Sequence, residues 1–254
     1  MSTRLSTSAA PSLQTDGYCR FQLRDTVGGL GRLQAAVDRL PADPYAPAAN
    51  RHRRYSNGVL LPWSRQIQWM PTREGAHGPY SEYYQGDYNS EYLSMTRRFV
   101  PFEDEVLHDP FLSEIIWNDF DLTFWDEAQL IRPFVVGVHL VRLLVSRPGD
   151  QAISSPNHLH QDGEPFTFVH LLVRENAVGC TTAVAEPGCV GKKPEDVDAA
   201  IIHTQFELRQ PLESYGVCDP KVAHYVSALH RGPEDRPAVR AALLTDFTPL
   251  VPLI

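Results

Sequence analysis

The sequence has no surplus of positive charge, no long apolar run, no clustered cysteines and no internal repeat, and each absence closes off a class of function. Lys and Arg number 23 against 31 Asp and Glu, a formal net charge of −8, so there is no electrostatic footprint for DNA, RNA or an anionic lipid surface. No apolar stretch approaches the roughly 18 residues that a membrane-spanning helix needs. The opening MSTRLSTSAAPSLQTDG has one Arg but lacks the continuous apolar stretch of a secretory signal. The four cysteines, Cys19, Cys180, Cys189 and Cys218, contain no C-x-x-C pair, which argues against a zinc finger, and a disulfide framework is unexpected in a chain this long. They read as reduced, buried thiols of a cytoplasmic protein. The expected partner is a small molecule, with no nucleic acid and no membrane; the sequence is silent on oligomeric state.

What is present is enough to pack an interior. Hydrophobic residues make up 43% of 254, with eleven Phe, ten Tyr and four Trp. Residues 1–16, rich in Ser, Thr and Ala, are expected to form a mobile tail, followed by one domain over 17–254. Within it, a helical part over about 17–130 is expected to pack on a β core over about 131–250. Leu30, Leu33, Val37 and Leu40 recur at helical spacing and Pro41 follows as a stop; a second helix is expected within 103–118. Residues 51–100 show no clear period, and HGPYSEYYQGDYNSEY reads as an aromatic, polar loop over a site. From Pro133 the texture changes to short runs rich in β-branched residues, PFVVGVHLVRLLV, FTFVHLLV, TTAVA, HTQFEL, KVAHYV and VRAALLTDF, mostly separated by turn clusters such as SRPGD and GPEDRP. That punctuation implies an antiparallel sandwich or barrel. The fold expected is mainly β with flanking helices around a double-stranded β-helix (jelly-roll, cupin-like) core.

The chemistry is concentrated in SSPNHLHQDGEPFTFVHLLVREN. In an extended strand residues i and i+2 share a face, so His160 and Asp162 can reach one ion. A third ligand from a later strand would complete a facial set of two imidazoles and one carboxylate, which suits a non-haem Fe(II) oxygenase because it leaves coordination positions open. His158 has the same spacing to His160, but the 160/162 pair alone supplies the carboxylate, and Gly163 suits a backbone turning closely there. His224, after a strand-like KVA, is favoured over His230 as the third ligand, while His170 and His203 read better as hydrogen-bonded core or supporting residues. Arg240 opens the run RAALLTDF; a guanidinium buried there needs an anionic partner, and Arg236 is its competitor.

These residues, in this order, resemble the bacterial 2-oxoglutarate/Fe(II) dioxygenases typified by L-isoleucine 4-hydroxylase, which act on free amino acids. YYQGDYNSEY followed by Arg97 and Arg98 is similar to the family's Q…YN…R region. HLVRL around Arg142 resembles its first core strand, SPNHLHQDGEPFTFVHLLVREN its H-x-D-G segment, and CDPKVAH with Arg240 and DF its closing pattern. The resemblance covers about residues 80–248. It implies a jelly roll, Fe(II) on His160, Asp162 and His224, 2-oxoglutarate paired with Arg240, and O2 as oxidant. Gly179-Cys180 and the long EPGCVGKKPEDVD depart from the pattern, and this loop is expected near the mouth of the sheets, where substrate is selected. For the amino-acid substrate itself, Arg142, Arg174, Asp126 and tyrosines near 80–88 are candidates. Hydroxylation is the default outcome; desaturation or oxidative cyclisation would use the same cofactors. A cupin-like isomerase or hydrolase, or a silent binding module, would leave Arg240 without a cosubstrate.

Overall fold

The computed structural model describes residues 9–154 and 156–250. The N-terminal strands are β1 (Tyr18–Gln22), β2 (Arg51–Leu61), β3 (Gln66–Trp69), β4 (Arg73–Gly75), β5 (Gly78–Tyr83) and β6 (Arg97–Phe99). Then come β7 (Phe134–Val145), β8 (Gln151–Ala152), β9 (Phe166–Glu175), β10 (Ala177–Gly179) and β11 (Thr182–Ala185). The series closes with β12 (Ile202–Phe206), β13 (Glu213–Cys218), β14 (Ala223–Val226), β15 (Leu229–Arg231) and β16 (Ala238–Pro249). The helices are α1 (Ala9–Asp16), α2 (Leu30–Asp38), α3 (Asp104–Leu107), α4 (Pro110–Leu122) and α5 (Glu127–Leu130).

The main layer is a seven-stranded antiparallel sheet in the order β1-β13-β9-β16-β7-β2-β3. Facing it are two three-stranded sheets, β8-β15-β10 and β12-β11-β14. Ladder bonds from Ser227 N to Thr181 O (2.9 Å) and from Cys180 N to Ala228 O (3.2 Å) run between them. The two are therefore halves of one bent second layer, and together the layers form the jelly roll expected from the strand pattern.

Strand β16 shows how the alternation divides labour. Arg240, Ala242, Leu244 and Asp246 face the space between the layers, while Ala241, Leu243 and Phe247 join the large core under the helices. On α4, Phe111, Leu112, Ile115 and Ile116 are fully buried against that face, each contributing roughly 1.5–3 kcal/mol of apolar burial. Asp109 starts this helix, its side chain accepting from Phe111 N at 2.8 Å with Pro110 at the first position. On the same helix, Asp119 accepts from His170 Nε2 at 2.8 Å and Thr245 Oγ1 at 2.7 Å, so His170 is the core histidine its apolar neighbours suggested.

Two expectations need correction, and one strand had no expectation at all. Residues 9–16 are helix α1, with Leu13 fully buried; only residues 1–8 of the expected tail lie outside the described residues. Residues 51–61 form a long strand, and β1, β2 and β3 complete the main sheet at both edges, so position 130 does not separate a helical part from a β part. The strand at 213–218 had no signature either, because the small residues of ESYGVC pack under neighbours instead of alternating.

Candidate active site

His160 and His224 are brought together by backbone alone. Each donates its N–H to the other's carbonyl at 2.9 Å, an isolated antiparallel bridge that sets the two rings 4.4 Å apart. The His160 Nδ1 donates to the His158 carbonyl at 2.9 Å, which directs the Nε2 lone pair inward. Asp162 completes the group, its carboxylate 3.6 Å from His160 Nε2 and 3.2 Å from His224 Nε2. One ligand atom from each of the three lies within 4.8 Å of the others.

Two devices hold Asp162 in place. The Asp219 carboxylate accepts from the N–H of Asp162 and of Gly163, both at 2.8 Å. Gly163 takes φ +91°, and a Cβ there would stand 2.4 Å from the Tyr88 ring, so the turn needs glycine on both counts. From the other side Gln85 donates to the Asp162 carbonyl at 3.2 Å, and Arg97 Nη2 in turn donates to Gln85 Oε1. Of HGPYSEYYQGDYNSEY, expected to be a loop, residues 78–83 instead form strand β5, and it is Gln85, just after that strand, that reaches the site.

Electrostatics follow from burial and these neighbours. Burial, then the His224 imidazole, pushes His160 down to about 4. Burial opposes ionisation of Asp162, but His224 and His160 beside it outweigh that and hold its carboxyl well below the usual range. His224 Nε2 is buried and lacks hydrogen-bond geometry to any partner, despite the nearby carboxylate. A buried nitrogen without a partner is costly; two imidazole nitrogens and a carboxylate converging on one point are a donor set that fits a divalent transition metal.

The same cavity contains Arg240, on β16, with Nε and Nη2 buried and unpartnered. It also contains a chain of groups the sequence did not flag. Arg53 Nη2 donates to His139 Nδ1, so His139 Nε2 carries the proton it donates to Asp246 Oδ2 at 3.0 Å. Burial, then Arg53, drops His139 to about 4 against the opposing Asp246 charge. Gly137 makes room for this: a Cβ there would be 2.3 Å from Asp246 Oδ2. Glu164 is pushed well above the ordinary carboxyl range by burial, then by Asp246 and Asp162.

A family model for 2OG-Fe dioxygenases matches residues 34–246. The chain belongs to the 2OG-Fe dioxygenase family. It is an Fe(II)- and 2-oxoglutarate-dependent oxidoreductase that uses O2, which sets aside the isomerase, hydrolase and silent-module alternatives. Two curated relatives are similar to this dioxygenase. An L-isoleucine-4-hydroxylase of Bacillus thuringiensis is 28% identical over 73% of this chain and 73% of its own length. A 3(1)-hydroxy-L-isoleucine 4-dioxygenase of Pantoea ananatis is 25% identical over 88% of this chain and 82% of its own. Among solved structures, IDO from Bacillus thuringiensis superposes with a TM-score of 0.74 at 21% identity, covering 96% of this chain and 98% of that one; the likeness is one of fold.

The substrate candidates fare differently from the triad. Arg142 points to the helix side of β7, its Nη1 4.0 Å from Asp38 on α2, because position 142 alternates with the cavity-facing His139 and Val141. Arg174 binds Glu207 at 3.2 Å and the Gly179 carbonyl at 2.9 Å and does not line the cavity. Asp126 caps α5 in a reciprocal box with Gln129, a structural role. None of the three reaches the site; of the tyrosines near 80–88, Tyr83 does. The competitors of the triad and of Arg240 also lie elsewhere. His230 is exposed on β15, and Arg236 is taken by Glu175 and Glu234. The long loop after β11 does not line the cavity; Leu159 N donates to Lys192 O and Gly191 N to Leu159 O, both at 2.8 Å, so it braces the residue before His160. Among the described residues no helix is long and apolar enough to cross a membrane.

Proposed function

We propose that this dioxygenase hydroxylates an aliphatic C–H bond of a free L-amino acid, with Fe(II) held by His160, Asp162 and His224 and the far carboxylate of 2-oxoglutarate held by Arg240. The observation that carries the reading is the pairing, in one cavity, of the converging triad with a buried guanidinium whose Nε and Nη2 have no partner. A guanidinium so placed is costly until an anion reaches it, and a carboxylate matches its two parallel donors.

Fe(II) and 2-oxoglutarate, when bound, would activate O2, which is the oxidant, with succinate and CO2 released. The chain's own residues orient and select. The His160 Nδ1 bond to a carbonyl fixes its ring; Asp219 and Gln85 fix Asp162; Val141, Val169, Val226 and Leu244 give the cavity an apolar wall against which an aliphatic side chain can pack. The names of the two curated relatives, both acting on isoleucine or a hydroxylated isoleucine, support the substrate class.

The test couples metal binding with product analysis. His160→Ala, Asp162→Ala and His224→Ala are expected to lose Fe(II) binding with the fold intact, while His158→Ala and His230→Ala keep it. Arg240→Met is expected to raise the 2-oxoglutarate requirement by about a hundredfold or more with Fe(II) affinity unchanged; an unchanged requirement refutes the assignment. Mass spectrometry over a panel of free amino acids should show gain of one oxygen. Loss of two hydrogens would make the enzyme a desaturase or cyclase, and no 2-oxoglutarate turnover across the panel would remove the substrate class.

A further inference from the structure

Three ionisable groups gather around the Tyr83 ring, and none has an ionic partner among the described residues. The Arg53 and Arg97 guanidinium carbons stand 5.3 Å and 4.8 Å from its centroid. At the other end of the ring the Tyr83 hydroxyl donates to Glu164 Oε1 at 3.2 Å. Arg53 Nε, Arg97 Nε and Glu164 Oε2 are all buried without a hydrogen-bond partner, and Arg97 is only 2% exposed. All of them line the cavity that contains the triad, Glu164 two residues beyond Asp162.

Two buried cations side by side repel unless an anion lies between them, and a buried carboxylate with a free oxygen calls for a donor or cation. The neighbouring carboxylate does not answer the need, since Asp246 is engaged by His139, and Arg51 is held apart by Asp43 at 2.8 Å. A simple carboxylic acid would satisfy the guanidiniums and leave Glu164 orphaned; an amine would do the reverse. A molecule carrying an ammonium and a carboxylate on one carbon satisfies both. We propose that Arg53 and Arg97 bind the α-carboxylate, and Glu164 the α-ammonium, of the amino-acid substrate, so that this cavity reads the zwitterion itself. The assignment rests on the free amino acid reading above and supplies the groups that Arg142, Arg174 and Asp126 do not. It leaves Arg240 to 2-oxoglutarate, and it excludes peptides, amides and α-keto or fatty acids as good ligands.

Calorimetry of the Fe(II)- and 2-oxoglutarate-loaded enzyme without O2 tests this. Free L-amino acids are titrated first, then the tightest binder's carboxamide and its desamino acid. Wild type is expected to prefer the intact zwitterion over each analogue by about thirtyfold or more. Glu164→Gln should erase the preference over the desamino acid and Arg53→Met the preference over the carboxamide, each with Fe(II) and 2-oxoglutarate binding within about twofold of wild type. Should either variant fail to fold, the analogue comparison on wild type still decides. Equal binding of zwitterion, amide and desamino acid overturns this inference and leaves the amino-acid reading standing. Absence of amino-acid binding with Fe(II) and 2-oxoglutarate still bound overturns both.

Discussion

Replacing Asp219 by Asn changes one atom in a residue that touches neither metal nor substrate, yet it should be among the most damaging conservative changes in the chain. The Asp219 carboxylate accepts two backbone N–H groups, from Asp162 and Gly163, each at 2.8 Å. Hydrogen bonds to a charged acceptor contribute about 1.5–3 kcal/mol apiece. Asn keeps one carbonyl acceptor, worth about 1 kcal/mol, and turns an NH2 toward the second N–H, leaving that donor unsatisfied. Part of the loss is returned because burial, then the nearby Asp162 charge, already raises Asp219 to about 6, so the native carboxylate is itself held at a cost. The net effect expected is about 2–4 kcal/mol, a factor of roughly thirty to several hundred. It divides between two observables. If the turn at Gly163 opens in the metal-free protein, Fe(II) affinity falls by that factor; if the turn holds under strain, the melting temperature falls instead. Anaerobic Fe(II) titration, with Mn(II) as a redox-inert control, and thermal melts of the metal-free protein together capture the whole. Fe(II) affinity within about threefold of wild type, combined with an unchanged melting temperature, would refute the claim that Asp219 positions Asp162.

Removing the cap of α4 with Asp109→Ala also breaks its ion pair with Arg32, and should cost about 1–2 kcal/mol, lowering the melting temperature by a few degrees. Asp119→Ala strands the fully buried His170 Nε2 and the Thr245 hydroxyl; about 3–5 kcal/mol of stability should disappear in a denaturant melt, with no such loss for the exposed Asp121→Ala. The pH dependence has a definite sign. His139 titrates near 4 in the fold and near 6.5 when unfolded, so the folded protein binds fewer protons between those values. Stability is then full above about 6.5 and declines as pH falls toward 4, by about 3 kcal/mol from this residue alone. In the metal-free protein His139→Gln should flatten that part of the profile, and an unaltered slope between wild type and variant would contradict the buried neutral imidazole. Gly137→Ala pushes a methyl into the Asp246 carboxylate; amino-acid binding should weaken while Fe(II) affinity stays, as read by the two titrations separately.

The part of this protein that was legible in its sequence is the part governed by short-range rules. The run VRAALLTDF reads as a strand, the apolar spacing within 103–118 marks a helix, and the i, i+2 geometry of an extended chain puts His160 and Asp162 on one side. The order of segments around them was enough to point to Fe(II), 2-oxoglutarate and the jelly roll. What the sequence could not show is which polar residues meet across strands. Arg53 lies in a segment without visible period, and His139 reads as one more polar residue in an apolar run; only the register of β2 on β7 and β7 on β16 sets Tyr55 opposite His139 and Gly137 opposite Asp246. Arg142, three positions from His139, looked equally available and faces the opposite way, because along a strand parity outranks proximity. Local periodicity determines the strands and the metal-binding segment, whereas long-range register decides which charges share a cavity, and therefore what the cavity can recognise.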